Sequence, residues 1–421
     1  MKKTALLGVF ALVVVFGVVA QQYDEESGFY VTVVDGGGAV EIMAYVGDEQ
    51  AVDIPSAING LPVTSIGDGA FLFAEMVRVN IPSSVTSIGH GAFNTCRNLT
   101  SITIPPGVTF IGDNAFAYCR SLASITIPSS VTYIGEKAFN NCGSLTGITI
   151  PYGVTAIGSE MFYECTSLAS VTIPSSVTYI GGYAFWKCAS LASVEIPSGV
   201  TAIGDYAFWE CKSLASVTFP SSLVRIGTWA FCDCESLTSV AIPDGVRFIG
   251  WSAFADCTSL ESIAIPSSVT NIGEDAFRDC GSLTGIMVDG GNPNFASEDG
   301  ILYNKAKNHI IAYPSASGDV AISSSVTSIG NNAFSFCRRL VSLAIPSSVT
   351  SIGEFAFNGC RSLASIAIPS SVTALGASAF YGWSNSQTII IEGHANQASA
   401  DALWRMTWRG NCNARIEYGG G

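Results

Sequence analysis

Thirteen cysteines are the residues in this chain best able to do chemistry, as nucleophiles, metal ligands or disulfide partners. Most fall in one series, at positions 96, 119, 142, 165, 188, 211, 234, 257, 280, 337 and 360, each three residues after a phenylalanine. So many cysteines in one chain would ordinarily suggest disulfides, but this spacing points elsewhere. Equivalent positions in a repeating chain face one core with parallel side chains, and cysteine is a small, readily buried residue. The series is odd in number, and the outermost repeats carry Ala74 and Trp383 instead. The reading is a buried thiol ladder, with oxidation of individual neighbours left open because adjacent repeats lie near disulfide reach. A metal site is not expected, since there is neither a Cys-x-x-Cys pair nor a local histidine partner. Cys232 and Cys412 stand outside the ladder. Cys232 is expected at an exposed position and is the better candidate for a reactive or intermolecular thiol.

Catalytic chemistry finds little to work with. His90, His309 and His394 are far apart and lack a neighbouring nucleophile-and-acid pattern. The stretch Asp289–Asp299 is rich in Asp, Asn and Gly but misses the spacing of a calcium loop, and reads as turn chemistry. The Gly-x-x-Ala-Phe runs lack the lysine of a phosphate loop. The expectation is no enzyme, no catalytic residue and no cofactor.

Aromatic residues are the stronger signal. Two residues before and one residue after the repeated phenylalanine are three apart and share a face of any helical turn. In successive units these pairs are Glu160/Tyr163, Tyr183/Trp186, Tyr206/Trp209 and Trp229/Cys232, with Tyr179 and Trp251 close by. In many other units the same positions hold Gly, Asn, Lys, Asp or Ser, so the core does not demand aromatics there. Two readings stand side by side. Either the rings lie over one another and shield the side of the molecule, or Tyr163, Tyr183, Trp186, Tyr206, Trp209 and Trp229 form a contact patch for a protein or glycan.

The element that must position these residues is a repeat. Ala-Phe pairs recur with phenylalanines at 93, 116, 139, 162, 185, 208, 231, 254 and 277, an unbroken period of 23 residues. Phe71 precedes the series, Phe334, Phe357 and Phe380 resume it, and only Met161-Phe162 lacks the alanine. In the unit beginning at Leu99, Ile102 and Ile104 mark one face of a short strand that Pro105 ends. Val108 and Ile111 return inward, Gly112 is expected to supply an unusual backbone angle, and Ala115, Phe116 and Cys119 suit one helical or 3-10 turn. A unit with so few inward positions cannot fold alone, so stacked neighbours must share a core.

The strand residues between the core positions then face a concave surface. One column runs through Ser101, Ser124, Gly147, Ser170, Ser193 and Ser216, and beside it stand Thr103, Thr126, Thr149, Thr172, Glu195 and Thr218. This face is small-residued and almost uncharged, either a neutral by-product of duplication or a weak hydrogen-bonding platform. Ser101, Thr103, Ser124, Thr126, Ser170, Thr172, Glu195 and Thr218 are its candidate contacts.

The Leu-x-x-Ile-x-Ile strand resembles the leucine-rich repeat. The run Ile-Pro-Ser-Ser-Val-Thr-x-Ile-Gly-x-x-Ala-Phe-x-x-Cys-x-x-Leu, at Ile81–Leu99, resembles its BspA-like, or treponemal, subclass. The resemblance covers roughly residues 29–383. It implies a right-handed α/β solenoid, with short parallel strands on the concave face, helical or 3-10 turns opposite, and caps at both ends. It also implies an exported, adhesin-like surface protein.

Residues 1–20 read as a signal peptide, with Lys2 and Lys3, an apolar run and Val18-Val19-Ala20 before a cleavage point. Residues 21–60 are expected to cap the stack with a hairpin of Phe29–Val34 and Val40–Tyr45. The solenoid is placed at 61–383. Within it an enlarged repeat at 286–325 holds a second hairpin, from Gly300–Tyr303 and His309–Tyr313. Residues 384–421 should form the C-terminal cap, with a last strand at Thr388–Ile391 and an amphipathic helix from Ala398 to Trp408. There Leu403, Trp404 and Trp408 would cover the final repeat.

Formal net charge is −14, and loss of Lys2 and Lys3 with the leader would make it more negative. An acidic chain without a basic stripe is a poor ligand for nucleic acid or anionic lipid. No membrane span is expected after cleavage. The leading reading is a secreted or cell-surface binding protein that engages host or microbial proteins. A carbohydrate-binding protein and a structural surface scaffold are the alternatives.

Overall fold

The computed structural model describes residues 22–25, 27–314, 317–394, 396–404 and 406–419. The expected signal peptide at 1–20 lies outside them. The described chain winds as one solenoid of parallel strands, each turn of the regular part taking 23 residues.

Three backbone ladders run along the stack, with interruptions. The first is the expected concave strand: Ser101–Thr103 pairs in parallel with Ser124–Thr126, Ile102 opposite Ile125. The second is a two-residue strand, Phe110–Ile111, flanked in parallel by Ser87–Ile88 and Tyr133–Ile134. The third runs along the Ala-Phe turns. There the N–H groups of Asn114, Phe116 and Tyr118 donate to the carbonyls of Glu136, Ala138 and Asn140 in the next unit, at 2.9, 2.8 and 2.7 Å.

That third ladder explains why the helical or 3-10 turn expected opposite the strands does not form. A helix would direct each N–H to its own carbonyls, whereas here every second N–H leaves for the neighbouring unit. The chain instead makes consecutive tight turns, Ala115 N–H to Gly112 O at 3.3 Å and Cys119 N–H to Phe116 O at 3.2 Å. Asn114 and Tyr118, third in each turn, are left-handed with φ of 56° and 61°, as a type II turn requires. The α/β description is therefore corrected to a solenoid of strands and turns. Among the described residues the α-helix is Gln397–Trp404.

The role expected of Gly112 is also corrected. Its φ is not positive; a Cβ on it would lie 2.6 Å from the His90 nitrogen of the preceding unit. Glycine is required by close approach of two backbones, and Gly135 repeats the constraint against Asp113 at 2.3 Å.

Inside, Phe93, Phe116, Phe139 and Phe162 stack face to face at 5.4–5.7 Å, all fully buried. The ladder thiols donate to the carbonyl of the preceding unit's phenylalanine, as Cys119 Sγ does to Phe93 O at 3.1 Å, except that Cys337 donates to Tyr313 O. Ladder cysteines 96–360 are buried, those other than Cys337 as free thiols, and at Cys142 and Cys188 burial pushes the thiol pKa well up. Trp383, which replaces the last cysteine, reaches Phe357 O through its indole Nε1 at 2.8 Å.

At the N-terminal end, Phe29–Val34 pairs antiparallel with Ala39–Tyr45, and Phe29 lies edge-on to Phe71 at 5.9 Å. Between Phe277 and Phe334 the chain forms antiparallel strands Phe295–Glu298, Ile301–Asn304 and His309–Ala312. The buried apolar residues separate here into two clusters that meet at Ile301 and Leu302. Thr388–Glu392 is not the last strand, because Arg415–Gly419 pairs in parallel outside it. The helix expected over Ala398–Trp408 is divided into Gln397–Trp404 and a 3-10 turn, Met406–Trp408. Trp404 and Trp408 are buried against the final repeat; the side chain of Leu403 lies outside the described set.

Candidate functional site

The tight turns carry the aromatic column. Residues two before each phenylalanine are left-handed throughout, including Tyr183, Tyr206 and Trp229 at φ of 55°, 61° and 56°. Glycine or asparagine takes that conformation most easily, as Gly91 and Asn114 do. Bulky rings there are uncommon. The third ladder holds them in place: the N–H of Tyr183 bonds Asp205 O at 3.0 Å and that of Tyr206 bonds Thr228 O at 2.8 Å.

The six aromatic candidates do come together. Tyr183 stacks on Tyr206 at 4.5 Å and Trp186 on Trp209 at 5.0 Å. Tyr163 meets Trp186 edge-on at 4.3 Å, and Trp229 closes the other end against Trp209 and Tyr206 at 5.8 and 6.3 Å. Although no helix forms, the three-residue spacing still places Tyr183 beside Trp186 and Tyr206 beside Trp209, at 5.8 and 5.5 Å. The rings are half-buried, since each covers much of its neighbour's face and leaves the edges outward. Lys187 lies over Trp186 at 4.7 Å and pairs with Glu164 at 3.5 Å. Trp209 Nε1 donates to Asp233 at 3.1 Å, whereas Trp186 Nε1 is buried with no acceptor among the described residues. Burial raises the phenol pKa of Tyr163 and Tyr183, and the nearby carboxylate of Glu164 adds to the rise at Tyr163.

Sequence reasoning missed what borders the rings. The second left-handed position, two residues after each phenylalanine, is acidic in four successive units: Glu210, Asp233, Asp256 and Asp279. Arg278 pairs with Asp256 at 2.6 Å and its guanidinium lies 6.0 Å from the Trp229 ring. The signal was a one-position column of like charge, readable only once that position was known to point outward.

Cys232, expected exposed, is buried. Its Sγ sits 3.8 and 3.9 Å from carboxylate oxygens of Asp233 and Asp256. Desolvation, and then those two carboxylates, drive its thiol pKa up, the opposite of a reactive thiolate. The three ligand atoms could converge on a cation, but Arg278 already supplies the positive charge there.

The concave candidates Ser101, Thr103, Ser124, Thr126, Ser170, Thr172, Glu195 and Thr218 are all exposed on the first ladder. These candidates are small and polar, with Glu195 the single charged side chain among them.

Comparison with known proteins matches the profile described as "BspA type Leucine rich repeat region (6 copies)" to residues 64–192, 180–298 and 313–408. A leucine-rich repeat protein from Bacteroides ovatus is 26% identical over 96% of this chain and 99% of its own, with a TM-score of 0.62. A leucine-rich cell surface protein from Faecalibacterium prausnitzii is 27% identical over 96% of each chain, with a TM-score of 0.44. The leucine-rich repeat protein of T. pallidum is 32% identical over 51% of this chain and 91% of its own, with a TM-score of 0.38. A search among curated proteins finds no match.

Proposed function

Because the chain belongs to the BspA-type leucine-rich repeat family, we propose that it is an exported, adhesin-like binding protein whose aromatic column docks another protein. The observation that carries this reading is the unbroken run of Tyr and Trp at these positions over adjacent units, from Tyr163 to Trp229. Three of them, Tyr183, Tyr206 and Trp229, occupy left-handed positions that glycine or asparagine fills at less cost elsewhere.

The geometry favours a protein over a glycan. Sugar platforms use free ring faces, whereas Tyr183, Tyr206, Trp186 and Trp209 cover one another's faces at 4.5–5.0 Å. What they offer is a ridge of ring edges with an indole and phenol rim, suited to a protein surface. The concave serine and threonine columns serve as a secondary, weakly binding face. Residues 1–20 direct export, and residues 21–60 and 384–421 cap the stack. The leucine-rich cell surface protein of F. prausnitzii supports placement at the cell surface. Leucine-rich repeat proteins act in general as binding scaffolds, which fits a role without catalysis.

The test is a pull-down from extracellular-matrix and microbial surface extracts, with wild type against Trp186→Ala/Trp209→Ala. A partner retained by wild type and lost by the variant, with unchanged circular dichroism, supports the reading. Equal retention removes it.

A further inference from the structure

The third ladder is broken at one place. From Phe71 to Phe254, and again from Tyr313 to Phe357, the central N–H of each turn donates to the next unit, as Phe254 does to Ala276 O at 2.9 Å. The flanking left-handed residues behave alike, Ser252 donating to Glu274 O at 2.9 Å and Asp256 to Arg278 O at 2.7 Å. The N–H groups of Asp275, Phe277 and Asp279 have no such acceptor among the described residues.

The cause is the inserted hairpin. Phe295–Glu298 and Ile301–Asn304 enter the stack on the strand side, between the units of Phe277 and Phe334, where His309–Ala312 pairs with Ser328–Ile329. On the turn side only the segment around Tyr313 follows. Tyr313 takes the place of the ladder phenylalanine, since its carbonyl accepts Cys337 Sγ at 3.1 Å and its N–H donates to Ala333 O at 2.7 Å. It makes no such bond to the turn at 273–280. A slot of about 400 Å³ results, lined by Asp275, Phe277 and Arg278 from one unit, Asn331 and Ser335 from the other, and Ala312 of the segment between them. That volume lies in the range of small-ligand sites, which favour boundaries between packed units.

The wall also holds polar atoms that lack partners. Asp275 Oδ1 and Arg278 Nε are buried without a close hydrogen bond among the described residues, with Asn332 and Trp251 beside the Asp275 carboxyl, and such atoms are costly unless something meets them. Two carboxylates, Glu274 and Asp275, face one guanidinium, already paired with Asp256. His309 adds no charge, because burial lowers its pKa. The slot is therefore acidic overall.

We infer that this slot binds a short extended peptide bearing a lysine or arginine. Its carbonyls would accept from Asp275 and Phe277, and its side-chain cation would meet Asp275 Oδ1. Donors two residues apart suit an extended chain, which advances about 7 Å over two residues and adds to an unpaired edge by main-chain bonds. This site is separate from the aromatic column and does not depend on it.

The test uses the full chain with three probes: acetyl-Ala-Lys-Ala-amide, acetyl-Ala-Glu-Ala-amide and free lysine. Titration calorimetry is combined with amide hydrogen exchange over residues 273–280. The lysine tripeptide should bind at least about tenfold more tightly than the glutamate one and slow exchange in that segment. Asp275→Asn should weaken it about tenfold, and the fold should persist because asparagine tolerates the φ of 60°. Asp244→Asn, which removes an exposed charge elsewhere, should leave binding unchanged. Ala312→Ile should fill the slot and abolish it. The inference is overturned if the lysine tripeptide fails to bind at millimolar concentration, or if either of the last two controls behaves otherwise. It also falls if Asp275→Asn binds as wild type, if exchange is unaltered, or if free lysine binds as well as the tripeptide.

Discussion

The thiol of Cys119 donates to the carbonyl of Phe93, 26 residues earlier and one unit back, at 3.1 Å. The same bond recurs up the stack, at 3.0 Å between Cys360 and Phe334, and Trp383 Nε1 reproduces it on Phe357. The cysteines therefore act as small buried donors that tie one unit to the last.

Reactivity follows from that environment. A thiol reagent at pH 8 should leave the ladder cysteines and Cys232 unmodified in the native protein, because burial excludes the reagent and, at thiols such as Cys188 and Cys232, also raises the pKa. Cys412, half-buried, should react first. All thirteen thiols should titrate in guanidinium. Rapid native modification of several ladder thiols, read by mass spectrometry, would contradict the structure.

Two glycine substitutions separate close approach from mere turn preference. Gly227→Ala places a methyl 2.6 Å from the Gly204 carbonyl of the preceding unit, which backbone cannot yield cheaply. A loss of about 2–4 kcal/mol in urea unfolding is expected. Gly290→Ala meets nothing within 4 Å and should change stability by less than about 0.5 kcal/mol. Similar effects at both sites would sink the argument.

The acidic column gives a pH dependence with a definite sign. Burial first, and then Asp256, raise the Asp279 carboxyl from its ordinary value near 3.8 to about 6, against the pull of Arg338. The folded state therefore binds this proton more tightly than the unfolded chain does. The stabilisation is complete below pH 3.8 and is lost as pH rises through about 6. Asp279→Asn should flatten the fall in stability between pH 4 and 7, measured by thermal melts across that window. An unchanged slope would assign it to other groups.

The sequence alone was enough for the period, the inward set, the thiol ladder, both hairpin positions and the grouping of Tyr183, Trp186, Tyr206 and Trp209. Each follows from which residue types recur at which spacing, and stacking turns a linear period into a column. Only the tertiary structure decided the backbone at the flanks of each phenylalanine. Spacing of three residues suits a helical turn and a pair of tight turns equally, and the choice depends on whether alternate N–H groups find carbonyls in a neighbouring unit. The same dependence hid the acidic column, put Gly112 against His90, and buried Cys232 beneath Asp233 and Asp256. It also left the N–H groups of Asp275, Phe277 and Asp279 without acceptors among the described residues where the hairpin intrudes. Those outcomes are contacts between units, and no single unit's sequence contains them.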